Sequence, residues 1–345
     1  MTHIVRGLAL ALATLIIAAP ALAQEAGQPS EGSGTTRGST SGLKLRSGTP
    51  RETPRFDPAE ASRSVDLGGE EAENAYGTVT RTNGGEETRE APSEELLRSI
   101  RSKRSAAPAA TDTAEAPRAV FGPDTRARVT DTTQFPFSAV GVLEGVTASG
   151  EVYQCSASLI GPKTVLTTAS CLYDHEAGWH GEFLFAPGVN TFEETPFGVY
   201  DWATAHLLEG YLSAYDGSYG SVLPYDMALL ILTEPAGDAT GWFGFEANPQ
   251  LGTFHANILG YPYDKEPEAT QWRSNCDVPA SLVQPTWIEH VCATSYGTGG
   301  APIYVYDTAD RSRMIQAIDV AEGASSNFAA RITEASFDWI VQYWQ

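Results

Sequence analysis

Three short stretches hold the residues whose types and spacing could do chemistry. Thr164-Val-Leu-Thr-Thr-Ala-Ser170-Cys171-Leu-Tyr-Asp174 ends a β-branched run on a hydroxyl, a sulfur and a carboxylate. Tyr225-Asp226-Met-Ala-Leu-Leu places one carboxylate at the start of an apolar run, and Gly297-Thr298-Gly299-Gly300-Ala301-Pro302 is a glycine-rich turn. A serine hydroxyl does not titrate near neutral pH, so Ser170 cannot act as a general base. Gly299 has no side chain and offers no nucleophile. His175 and His180 lie close together on a loop with Asp174 and Glu176, a weak metal signature. Asp264, Glu266 and Glu268 form an acidic loop whose plainer reading is solvated charge.

The elements that must position these groups read as strands. Phe135–Leu143, Tyr153–Ile160, Thr164–Thr168, Ala228–Leu232, Phe254–Leu259, Trp287–Ala293, Ile303–Val305 and Met314–Ile318 are short and apolar. They are rich in Val, Ile, Phe, Tyr and Thr and bounded by turn residues, the pattern of an all-β sandwich or barrel. No βαβ alternation and no fixed-period repeat appears. Thr333 can cap a C-terminal helix whose Phe337, Ile340, Val341 and Trp344 share one face.

The 345 residues, with a formal net charge of -21, divide into three segments. Residues 1–23 read as a cleavable signal peptide: a positive start, an apolar run from Leu8 to Ala19, and the Ala21-Leu22-Ala23 site, giving a mature start at Gln24. Export to the periplasm or medium follows. Residues 24–119 are rich in Gly, Ser, Thr, Pro, Glu and Arg, with Phe56 and Tyr76 as their aromatics, and read as a disordered arm or propeptide. Arg98-Ser-Ile-Arg101-Ser-Lys103-Arg104 near its end is either linker or a processing site. Residues 120–345 carry all seven Trp, all four Cys and a net charge of -19. That acidity excludes a nucleic-acid partner; no later run is long and apolar enough to span a bilayer.

In this order and at these separations, the three stretches resemble the His, Asp and Ser motifs of trypsin/chymotrypsin-like serine proteases. Phe121-Gly-Pro-Asp124-Thr-Arg126, Val129-Thr-Asp-Thr-Thr, and Gly260-Tyr-Pro-Tyr-Asp264-Lys265 with Thr270-Gln-Trp272 are similar to the glutamyl-endopeptidase branch. The resemblance implies two antiparallel six-stranded β-barrels, a cleft between them and a closing helix. It also selects the pairings Cys155–Cys171 and Cys276–Cys292 among the three that four cysteines allow. Asp226 falls on the family's orienting carboxylate, and the N–H groups of Gly297 and Gly299 fall on its oxyanion hole.

The chain departs from that family at decisive positions. The slot of the catalytic His holds Ser170, pinned by Cys171, and the slot of the nucleophile holds Gly299. Neither His175 nor His180 sits in the first slot; Thr298 and Ser295 are out of register with the second. Where the branch reads Gly-Ile-His, this chain reads Ala317-Ile318-Asp319, which puts a carboxylate in the specificity pocket and favours a basic side chain. The aromatics Trp179, Trp202, Trp242 and Trp272 are expected to pack or edge the barrels. The resulting expectation is an exported, monomeric, catalytically inactive protease homologue that binds a peptide or protein, with no metal or other cofactor. Its competitors are a hydrolase with an unconventional site and a structural or envelope protein acting through its arm.

Overall fold

The computed structural model describes residues 22–24, 43–51, 53–57, 69–103 and 123–345. The expected signal peptide lies outside them save for Leu22 and Ala23, which with Gln24 pair antiparallel with Phe245–Ala247. Among the described residues no helix is long and apolar enough to cross a membrane.

Strands β1 (Thr78–Thr82) and β2 (Glu87–Glu90) precede the barrels. The first barrel comprises β3 (Val140–Val146), β4 (Val152–Leu159), β5 (Thr164–Thr167), β6 (Phe183–Pro187), β7 (Tyr200–Leu208) and β8 (Ala228–Leu232). Its order is β6-β3-β4-β5-β8-β7, and Tyr200 and Asp201 of β7 return to pair with β6, so the barrel closes. Leu143, Leu159, Phe183, Phe185 and Leu230 share one face of these strands by register and are buried, as are Val142 and Leu166 on the other.

The second barrel comprises β9 (Phe254–Gly260), β10 (Trp272–Val278), β11 (Trp287–His290), β12 (Pro302–Tyr306), β13 (Arg313–Glu322) and β14 (Asn327–Arg331). Its order is β10-β9-β12-β13-β14-β11. It stays a half-barrel, because no ladder joins β11 to β10. The Cys276–Cys292 disulfide spans that open seam. Cys155–Cys171 ties β4 to the turn after β5. Both expected pairings are therefore present. The expected strand from Phe135 starts later, at Val140, because residues 137–139 form a 3-10 turn.

Helix α1 (Glu70–Asn74) and helix α2 (Glu94–Lys103) belong to the arm, and helix α3 (Glu334–Tyr343) ends the chain. Thr333 and Ser336 form a reciprocal capping box that starts α3 where expected. Of the expected barrel-edging tryptophans, Trp202 is buried and Trp179, Trp242 and Trp272 are half-buried.

Residues 69–103 correct the expectation of a featureless arm. Strand β1 adds to the barrel sheet at β7, from Thr78 opposite Leu208 to Thr82 opposite Thr204, and β2 folds back on it. Its Val79 is fully buried, and Thr78 accepts hydrogen bonds from Trp339 Nε1 and Tyr343 Oη of α3 at 3.0 and 2.9 Å. Low apolar content did not prevent order, because a strand added to an existing sheet borrows its partner's hydrogen bonds and needs little core of its own. The basic stretch Arg98–Lys103 is likewise helical; Arg101 is paired with Glu73 at 2.8 Å, while Arg104 lies outside the described residues.

Candidate functional site

Strand β5 ends at Thr167 and the chain turns through a 3-10 turn at Ala169–Cys171. That turn aims the Ser170 N–H at Asp226 Oδ1, 2.7 Å away. Asp226 is fully buried, and its Oδ2 accepts from Tyr219 Oη at 2.5 Å. Burial pushes its carboxyl up to about 6, against the pull of the Tyr219 and Ser170 hydrogen bonds.

The glycine turn faces this pair from the second barrel. Ser156 on β4 pins it: the Ser156 N–H donates to Gly299 O at 2.9 Å and its hydroxyl donates to Gly297 O at 2.8 Å. Gly300 N–H donates to Asp319 O at 2.9 Å. Among the described residues, the N–H groups of Gly297 and Gly299 find no acceptor. Ser170, Gly297 and Gly299 line one cavity of about 50 Å³ between the barrels, walled by the Cys155–Cys171 disulfide and Val320. The expected constellation of Ser170, Asp226, Gly297 and Gly299 therefore assembles. Its donors could hold a carbonyl oxygen, while residues 170 and 299 present a hydroxyl and a hydrogen atom.

Substitutes from neighbouring positions do not reach the site. Thr298 Oγ1 shares its one proton between Ser295 O at 2.5 Å and Asp319 Oδ2 at 3.0 Å, so it points inward. The His175 ring stacks on Tyr215 at 3.7 Å, and its basicity is lowered by burial. His180 packs on Tyr153, and burial depresses it to about 3. Neither histidine bonds to Asp226, whose two oxygens are already taken.

Asp319 differs from its expected role. Its carboxylate does not line the cavity; it is buried beneath, 3.2 Å from His290 Nε2 and bonded to Thr298. Both oxygens are engaged, which leaves no open counter-charge for a basic side chain. Asp264 in the acidic loop is bound by Arg126, with Nη1 donating at 2.8 Å, so the Asp124–Arg126 stretch is stitched to the Gly260–Asp264 stretch. Among the described residues, the group close enough to share a metal ion is Cys276, His290 and Cys292, and its two sulfurs are bonded to each other.

Sequence reasoning missed a further set of residues at the site. Arg51, Thr53 and Pro54 of the arm form one wall of the cavity. The signal was present as a run with Lys44, Arg46, Arg51 and Arg55 against a single acid, Glu52, but it was averaged into a nearly balanced arm.

A closed antiparallel barrel facing a half-barrel across a cleft, with an Asp, a glycine turn and two local disulfides at its centre, defines the chymotrypsin-like serine-protease fold. No family model matches the chain. It is 30% identical over 230 residues to a glutamyl endopeptidase of Bacillus licheniformis, covering 64% of this chain and 67% of that protein. It is 27% identical over 232 residues to an extracellular metalloprotease of Bacillus subtilis, covering 66% and 70%. Among solved structures, a Glu endopeptidase superposes with a TM-score of 0.55 at 20% identity, covering 65% of this chain and 98% of that one. The chain belongs to the glutamyl-endopeptidase family.

Proposed function

We propose that this chain is an exported protease homologue that no longer hydrolyses and works by holding a peptide or protein segment in its cleft. One observation carries the reading: Ser170 and Gly299 occupy the base and nucleophile positions around an otherwise retained Asp226 and pair of free glycine N–H groups. Without a base the proton of an attacking hydroxyl has nowhere to go, and Gly299 has no hydroxyl. Backbone donors alone would leave roughly 10³–10⁴-fold acceleration over water, far below useful turnover. The two disulfides and the extracellular relative support export.

The test is covalent labelling by a fluorophosphonate. The wild type is expected to stay unlabelled, and Ser170→His with Gly299→Ser, in a chain also carrying Arg51→Ala to clear the cavity wall, is expected to label. Labelling of the wild type sinks the reading.

A further inference from the structure

We propose that the cleft binds an extended, arginine-bearing peptide, and that residues 44–56 of this same chain are its resident occupant. The inference rests on the peptide-binding reading above and names the ligand class.

The segment bridges both lips of the cleft through its main chain. Thr49 N–H donates to Val152 O of β4 at 2.8 Å, Glu322 N–H of β13 donates to Pro54 O at 3.0 Å, and Phe56 N–H donates to Glu322 O at 3.0 Å. Thr49 and Arg55 both pair in the parallel sense, with Tyr153 and Glu322. Between these anchors Arg51, Thr53 and Pro54 line the same cavity as Ser170 and Gly299. Main-chain pairing at a strand edge supplies affinity for any extended peptide, and side-chain pockets supply the choice.

The side chains make that choice for arginine. Arg46 meets the fully buried Glu144 carboxylate, with Nε 2.8 Å and Nη2 2.7 Å from Oε1. Arg51 lies over the Tyr153 ring at 5.2 Å, 3.8 Å from Asp174, and against His180 Nε2 at 2.5 Å. A guanidinium only donates, so that His180 nitrogen must be the acceptor of a neutral ring. Arg55 donates to Tyr296 Oη at 3.0 Å and faces Glu322. Phe56 closes the segment edge-on against Phe328 at 4.6 Å and Trp287 at 5.7 Å. The acidity of the barrels thus has its basic complement in the arm.

Emptying the cleft would strand Glu144 as an uncompensated buried charge, so an incoming ligand must replace the cation it removes. A second arginine-bearing peptide does this; a neutral one does not. The arm competes in cis at high effective concentration, and external binding requires its displacement.

The experiment uses the full chain and a fluorescent peptide with the sequence of residues 43–57, read by anisotropy. Arg46→Ala, Arg51→Ala and Arg55→Ala together are expected to loosen the arm. Exchange at the Thr49 and Phe56 amides rises, and the peptide binds about tenfold tighter or more than to the wild type. A peptide with its arginines replaced by alanine is expected not to bind. Unprotected Thr49 and Phe56 amides in the wild type would overturn the resident occupant. Should the triple variant not fold, a specific protease site inserted among residues 58–68 and cut after folding releases the segment, with the same readouts. An emptied cleft that ignores the peptide overturns the ligand class, whereas fluorophosphonate labelling separately overturns the loss of hydrolysis.

Discussion

Position 299 carries a glycine that the backbone does not require. Gly297 and Gly300 have φ of 92° and 88°, and a Cβ there would lie 2.4 Å from Tyr261 O and 2.1 Å from Ser156 O. Gly299 lies outside the left-handed region, and a Cβ there meets nothing within 4 Å. Gly299→Ala is therefore expected to change stability by less than about 0.5 kcal/mol, and Gly300→Ala to cost about 2 kcal/mol or more; urea unfolding compares them. Asp226 gives a second prediction at this scale. Its folded value of about 6 lies above the roughly 3.9 of an unfolded Asp. Its contribution is fully present below about pH 3.9 and is lost as pH rises through 6, by roughly 3 kcal/mol. The wild type minus Asp226→Asn difference in unfolding free energy should fall across that window. A flat difference would mean the carboxyl titrates normally.

The arm hairpin and α2 decide whether the N-terminal segment can leave. Strand β1 is paired along its whole length with β7, and α2 packs against α3. A cut within residues 104–122 is therefore expected to leave a two-chain complex through size exclusion. In the cut form, Val79→Asp would put a charge into the fully buried seam and release the N-terminal piece. Release of the unmutated cut arm would contradict the sheet pairing. This element was legible locally and lost in the average. Thr78-Val-Thr-Arg-Thr82 alternates like a strand and Asn83-Gly84 is a hairpin turn signal, yet the composition of residues 24–119 as a whole reads as disorder. Ala228–Leu232, all of whose residues are buried, is legible directly as an apolar run. Trp272–Val278, where buried residues alternate with exposed ones, is not.

Across the whole molecule, charge links the pieces. An acidic double-barrel body holds a basic segment over its own cleft; Arg46 and Arg51 are ion-paired with Glu144 and Asp174, and Arg55 donates to Tyr296 and faces Glu322. The sequence by itself determined the fold family and, through that resemblance, the two disulfide pairings, because both rest on motifs whose order along the chain is preserved; the residue types at 170 and 299 were read directly from it. Only the tertiary structure decided that Asp319 is sealed under the cavity by His290 and Thr298, that the second barrel stays open at one seam, and that Arg46, Arg51 and Arg55 face Glu144, Asp174 and Glu322. The physical reason is separation: Arg46 and Glu144 lie 98 residues apart, and no local pattern records which distant carboxylate a guanidinium will meet once the chain is folded.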